Sequence, residues 1–203
     1  MTEPDARSRY VDRFLTFIDA IVAIAITLLV LPLVDLTTDY KGSAVELVRE
    51  HAPELLAFAL SFFVIFRFWK AQHRILRDVV DLDGPMTQTL TLWAFTVVFL
   101  PFPTALASSS PSEQTSTRAL YVGTMAVSAG ALALLAWLVA RNPALRAGAA
   151  SEPKQAMTTL VIFVVALVLT VAIPRTGYYP LLLLFLTGRV VALWHRHKRN
   201  TGT

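Results

Sequence analysis

The run Arg13-Phe-Leu-Thr-Phe17-Ile-Asp19-Ala-Ile-Val-Ala-Ile24-Ala-Ile-Thr27-Leu28-Leu-Val-Leu31-Pro32-Leu33 holds one acidic residue in an otherwise almost wholly apolar sequence. A helix that crosses the roughly 30 Å hydrocarbon core of a bilayer needs about 20 mostly apolar residues at 1.5 Å rise each. The run meets that length, so it reads as a membrane-crossing helix. It is a full span with a carboxylate inside and no small-residue cleavage site, so it is kept as helix one and not read as a signal peptide.

Working outward, five further apolar stretches come close to the same length. The expected spans are 17–36, 54–69, 89–106, 118–139, 157–173 and 178–194. With 203 residues, 55% of them hydrophobic and 16% charged, the chain lies far from the composition of water-soluble proteins. It is expected to be an all-α integral membrane protein, with residues 1–203 forming a single six-helix domain. The second span is the shortest and ends in a basic cluster, so its last turns are expected to leave the bilayer while still helical. Between spans one and two, Ala44, Val45, Leu47 and Val48 alternate with Glu46, Arg49 and Glu50, a pattern that suits a short interfacial helix. Ser108 to Ser112, with Pro111, reads as an exposed turn. No internal repeat supports a two-fold transporter built within one chain.

Charge sets the orientation. Arg7, Arg9 and Arg13 precede helix one, and Arg67, Lys70, Arg74 and Arg77 follow helix two. Arg141, Arg146 and Lys154 lie between helices four and five, while Arg189, Arg196, Lys198 and Arg199 close the chain. Those are fourteen of the eighteen basic residues. The opposite loops hold only Lys41, Arg49, Arg118 and Arg175, so the positive-inside rule places both termini in the cytoplasm. The net charge of +4 is thereby explained by alternate loops and not by one basic face, which argues against a nucleic-acid partner. Cysteine is absent, and the four histidines form no H-E-x-x-H spacing. No paired catalytic carboxylates and no nucleophile with a base stand at a recognisable spacing, so neither an enzyme nor a cofactor is expected.

On a helical wheel, Phe17, Ala20, Ile24, Thr27, Leu28 and Leu31 fall within a stripe about 100° wide. Asp19 points about 140° away from it on the same wheel. An ionisable group in a membrane helix is a functional candidate: Asp19 could bind a cation, relay a proton or hold helix one to its neighbours. The wheel favours the third role, and a carboxylate that complements the positive end of the helix dipole is the simplest alternative. Ile24, Leu28 and Leu31 stack three bulky groups on successive turns, a spacing that by itself means lipid contact or packing. The Thr27 hydroxyl could replace part of an ion's hydration, although such hydroxyls commonly bond back to a carbonyl one turn earlier. Six helices packed as a solid bundle leave no water-filled path, so a pore would require symmetric assembly of identical chains. Ala126 and Gly130 form a small-x-x-x-small pair that permits close helix contact.

Helix one resembles the opening motif R-x-x-x-F-S-D of the transmembrane protein 175 family, the endosomal and lysosomal potassium channels and their bacterial relatives. Here the motif reads Arg13, Phe17, Ile18, Asp19. Phe68-Trp69-Lys-Ala-Gln72-His73 is similar to the family's W-x-x-H-H stretch, and Leu100-Pro-Phe-Pro-Thr104 to its L-P-F-P-T. The resemblance implies a homotetramer of the bacterial single-repeat form in a bacterial plasma membrane, with four copies of helix one lining a central pore. It implies Ile24 as the narrowest collar, Leu28 and Leu31 as the next collars, and Thr27 as the residue associated with potassium preference. It also implies a polar network of Arg13, Asp19, Trp69 and His73, with Phe17 in the motif, holding helix one against helices two and three. Ile18 in place of the motif serine, and Gln72 in place of the first histidine, thin that network. The function so implied is passive, potassium-preferring cation conduction, with lipids, potassium ions and further copies of the chain as partners. The competing reading is a proton-coupled or proton-conducting transporter that uses Asp19 and His73 as a relay.

Overall fold

The computed structural model describes residues 3–38, 40–109, 115–145, 147 and 161. The described elements are helical: α1 Glu3–Leu28, α2 Leu31–Asp35, α3 Ala44–Glu50, α4 Ala52–Leu76, α5 Gly84–Phe99, α6 Pro101–Ser109, α7 Thr115–Arg141 and a 3₁₀ turn at Pro143–Leu145. Four segments are long and apolar enough to cross a membrane: Arg9–Asp35, Ala52–Leu76, Gly84–Leu106 and Ala119–Arg141. They correspond to the first four expected spans. The expected spans 157–173 and 178–194 lie outside the described residues.

Proline accounts for two interruptions that the hydropathy pattern passed over. Pro32 has no N–H to give to the carbonyl of Leu28, so helix one stops there. It resumes through Leu33 N–H and Val34 N–H donating to the Val30 carbonyl at 3.0 and 3.1 Å. Pro101 and Pro103 likewise separate α5 from α6 around Leu100.

The helix ends also shift outward from the expected bounds. α1 begins at Glu3 instead of Phe17, and α5 begins at Gly84 instead of Thr89. Asp83 explains the second case: its side chain caps the helix by accepting from Met86 N–H at 2.8 Å, with Pro85 in the first turn. α4 continues two turns past Trp69 to Leu76, as its basic end suggested. The interfacial segment forms as α3, closed by a capping box in which Ser43 Oγ accepts from Glu46 N–H and Ser43 N–H donates to Glu46 Oε2. Those bonds from Ser43 hold the Glu46 carboxyl below its ordinary range.

The core joins α1, α4, α5 and α7. Ile18, Val22 and Ala25 of α1 and Leu29 just beyond it share one cluster with Val64, Ile65 and Phe68 of α4 and Leu90, Trp93 and Val97 of α5, with Tyr121, Met125 and Leu135 of α7 completing it. On α4 the buried positions recur three or four residues apart, the period of one helix face. Ser61 supplies a polar tie inside this apolar packing: its hydroxyl lies 2.9 Å from Thr104 Oγ1 and 2.8 Å from Tyr121 Oη, joining α4, α6 and α7. The unequal burial of the four segments is informative. The most apolar windows of the third and fourth spans are 50% and 56% buried, whereas those of the first and second are only 22% and 28% buried. Helix one therefore offers most of its surface to something outside these four helices.

One end of the bundle is fastened by the backbone. Val80 N–H donates to the Leu145 carbonyl at 2.9 Å and Ala147 N–H to the Asp78 carbonyl at 2.8 Å. Asn142 Nδ2 adds a bond to Asp83 Oδ2 at 3.0 Å. The α4–α5 connection and the end of α7 thus share one end of the molecule, the pairing that the charge alternation anticipated. Asp83 serves both the helix cap and the Asn142 tie. Asp83→Ala is expected to cost about 1–2 kcal/mol, and Asp83→Asn, which keeps a capping oxygen, clearly less. Thermal unfolding of the two variants in detergent measures the difference.

Candidate functional site

Two opposite faces of α1 define the site. One face is buried, with Ala25 at 0% exposure and Leu29, just past the helix, at 1%, while the other leaves Phe17 at 61% and Ile24 at 59%, with Leu31 of α2 at 54%. Leu28 and Thr27 belong to the same open face. The stripe drawn on the wheel is thus the face that the packed helices leave uncovered. The interruption at Leu29 and Val30 departs from a straight stack, yet Leu28 before it and Leu31 after it are both exposed.

Thr27 has a specific geometry. Its hydroxyl donates to the Ile24 carbonyl at 2.7 Å, so its one proton is occupied and the oxygen's lone pairs are what it presents outward. A group in that state is an acceptor only. Those lone pairs are what such a group can offer to a cation.

Asp19 stands on the sheltered side of the same helix. Trp69 Nε1–H donates to Asp19 Oδ1 at 2.9 Å, and His73 Nε2 lies 3.5 Å from Asp19 Oδ2. The Trp69 and His73 rings are 4.5 Å apart, as expected for neighbours at i and i+4. His73 Nδ1 faces the Trp69 carbonyl at 3.2 Å. Both ring nitrogens therefore face acceptor oxygens. This set clamps α1 to α4 about two turns from the inner face of the bundle end described above.

Arg13 stays outside the clamp. It is exposed and makes no ion pair or hydrogen bond among the described residues. Six residues separate it from Asp19, which places the two side chains about 9 Å apart along the axis and about 120° apart around it. Arg13 lies instead on the open face, one turn before Phe17.

Two features were not read from the sequence. The Ser61–Thr104–Tyr121 tie spans partners 43 and 60 residues apart, and its only signal is a serine within an apolar helix. Gln72, noted as a departure from the motif, is fully buried, and neither of its amide atoms has a hydrogen-bond partner among the described residues. Among those residues no group of three His, Cys, Asp or Glu side chains could hold a metal.

Comparison with known proteins places this geometry in context. Residues 13–101 match the family model of the endosomal/lysosomal potassium channel TMEM175, a region that contains the open face of α1, the clamp and the first of the α6 prolines. A potassium channel of Streptomyces collinus is 29% identical over 129 residues, which make up 62% of this chain and 63% of that protein. The chain thus spans somewhat less than two thirds of that relative's length. The crystal structure of a lysosomal potassium-selective channel TMEM175 homolog from Chamaesiphon minutus superposes with a TM-score of 0.71 at 25% identity, over 88% of this chain and 96% of that one. With helical membrane spans, an uncovered apolar face on helix one and an Asp–Trp–His clamp behind it, the chain resembles the TMEM175 family over residues 13–101.

Proposed function

We propose that this chain is a potassium-preferring cation channel, assembled as a homotetramer in which four copies of α1 and α2 line the central axis. Each subunit contributes six membrane helices, both termini lie in the cytoplasm and the assembly resides in a bacterial plasma membrane. Ile24, Leu28 and Leu31 form successive apolar collars, and Thr27 offers an oxygen between the first two. The observation that carries this reading is the split burial of α1, whose open face holds the collar residues while its other face is locked into the core.

Apolar collars oppose ion passage because an ion must shed hydration where no polar group replaces it. Conduction then depends on the collar's width and on whatever oxygens lie beside it. Thr27, with its proton already given to Ile24, supplies such an oxygen. Flux from potassium-loaded liposomes containing the purified full chain tests the reading, with passive, saturable-carrier-free kinetics as the expected result. Thr27→Val keeps the side chain's shape and removes the oxygen. It is expected to lower the potassium-to-sodium permeability ratio by about twofold or more, since about 0.4 kcal/mol of differential stabilisation suffices for that. Reversal potentials under bi-ionic conditions measure the ratio. A ratio identical to that of the unmodified protein would remove Thr27 from the selectivity role.

A further inference from the structure

The open face of α1 and α2 ends in opposite charges. Arg13 lies within α1, one turn before Phe17, and Asp35 lies one turn after Leu31 at the end of α2. Both pairs are four residues apart, so each charge shares the face of its apolar neighbour. Both charged side chains are exposed, and neither makes an ion pair or a side-chain hydrogen bond among the described residues. The 22 residue steps from Arg13 to Asp35 correspond to about 33 Å at helical rise, close to the thickness of the hydrocarbon core. The charges therefore stand at the two membrane surfaces, on the stripe that carries the collars.

We infer that Arg13 and Asp35 form charged rings of opposite sign at the two mouths of the pore and make it rectify. This rests on the channel reading above. Four copies of Arg13 deplete cations at the cytoplasmic mouth, and four copies of Asp35 concentrate them at the outer mouth. Asp12 is carried about 100° round the helix from Arg13 and off the stripe. The dipole of α1 has the same sense, positive towards Arg13. Cation entry from outside is thereby favoured over entry from within. A ring of four unit charges some 10 Å from the axis changes the local cation concentration by about three- to tenfold at low salt, and by little at high salt.

Inside-out patches from cells that express the full chain test this. In symmetric 10 mM potassium chloride, where screening extends about 30 Å, inward single-channel current should exceed outward current by at least about threefold at equal driving force. In 1 M salt, where screening extends about 3 Å, the ratio should approach one. Arg13→Gln should raise outward current and Asp35→Asn should lower inward current, each moving the low-salt ratio towards one. Arg13→Lys and Asp35→Glu should retain the rectification, which a merely structural role for either side chain does not predict. A conducting protein whose current is symmetric at low salt, or whose ratio ignores both neutralisations, overturns the inference and leaves the channel reading intact. Absence of conduction in the unmodified protein overturns both.

Discussion

Ile24→Ala is expected to raise potassium flux at least about tenfold in liposomes, and to narrow the preference for potassium over sodium as the collar widens. The argument is steric and electrostatic together. Each copy loses three carbons from a side chain that the packed subunit leaves 59% exposed, and in the proposed tetramer fourfold repetition would multiply the change around one axis. An ion crossing an apolar ring must give up hydration, and even a small share of that cost, about 1.4 kcal/mol off the barrier, is tenfold in rate. Ile18 provides the control. It lies on the same helix, is 2% exposed and belongs to the core cluster. Ile18→Ala should destabilise the protein by about 2–4 kcal/mol through a cavity and leave flux per surviving assembly unchanged. Equal flux from Ile24→Ala and the unmodified protein would show that the constriction lies elsewhere.

The contrast between Ile18 and Ile24 also shows what could be read from the sequence. A 100° rotation per residue separates the two faces of helix one, and the wheel assigned Phe17, Ile24, Thr27, Leu28 and Leu31 to one of them before any packing was known. Trp69 and His73 could be paired by their i, i+4 spacing, but their meeting with Asp19 required the register of α4 against α1. Ile65 and Phe68 share one buried cluster with Ile18 and Val22, a tertiary arrangement to which no local pattern points. The Ser61–Thr104–Tyr121 tie was hidden for the same reason. The early start of α5 was legible in Asp83-Gly84-Pro85, a cap followed by a first-turn proline, but the polar residues Thr87 and Gln88 masked it in a reading based on hydropathy. The extension of α1 back to Glu3 lies in a charged stretch where apolar periodicity has nothing to report. Arg13 is the instructive exception. Motif likeness grouped it with Asp19, whereas elementary helix geometry separates them, and the structure follows the geometry.

Loss of the Asp19 carboxylate is expected to loosen α1 from α4 without altering ion passage through assemblies that survive. In Asp19→Ala the half-buried Trp69 N–H loses its acceptor and His73 loses the carboxylate 3.5 Å away. Hydrogen bonds to charged groups contribute about 1.5–3 kcal/mol, and the 38% exposure of the Asp19 side chain places this one in the lower half of that range. Asp19→Asn keeps an oxygen for Trp69 and should lose about half as much. Stability should thus fall in the order unmodified, Asn, Ala, read as thermal unfolding and as the fraction remaining assembled on size exclusion in detergent. Trp69→Phe removes the donor and keeps most of the ring. Because the two residues act through one bond, the double variant Asp19→Ala with Trp69→Phe should cost less than the two single losses added together. Flux per assembled particle should be unchanged in all of these variants, since Asp19 points away from the open face. A normally stable assembly of Asp19→Asn with abolished flux would instead mean that the carboxylate handles the ion directly, and would favour the competing proton-relay reading.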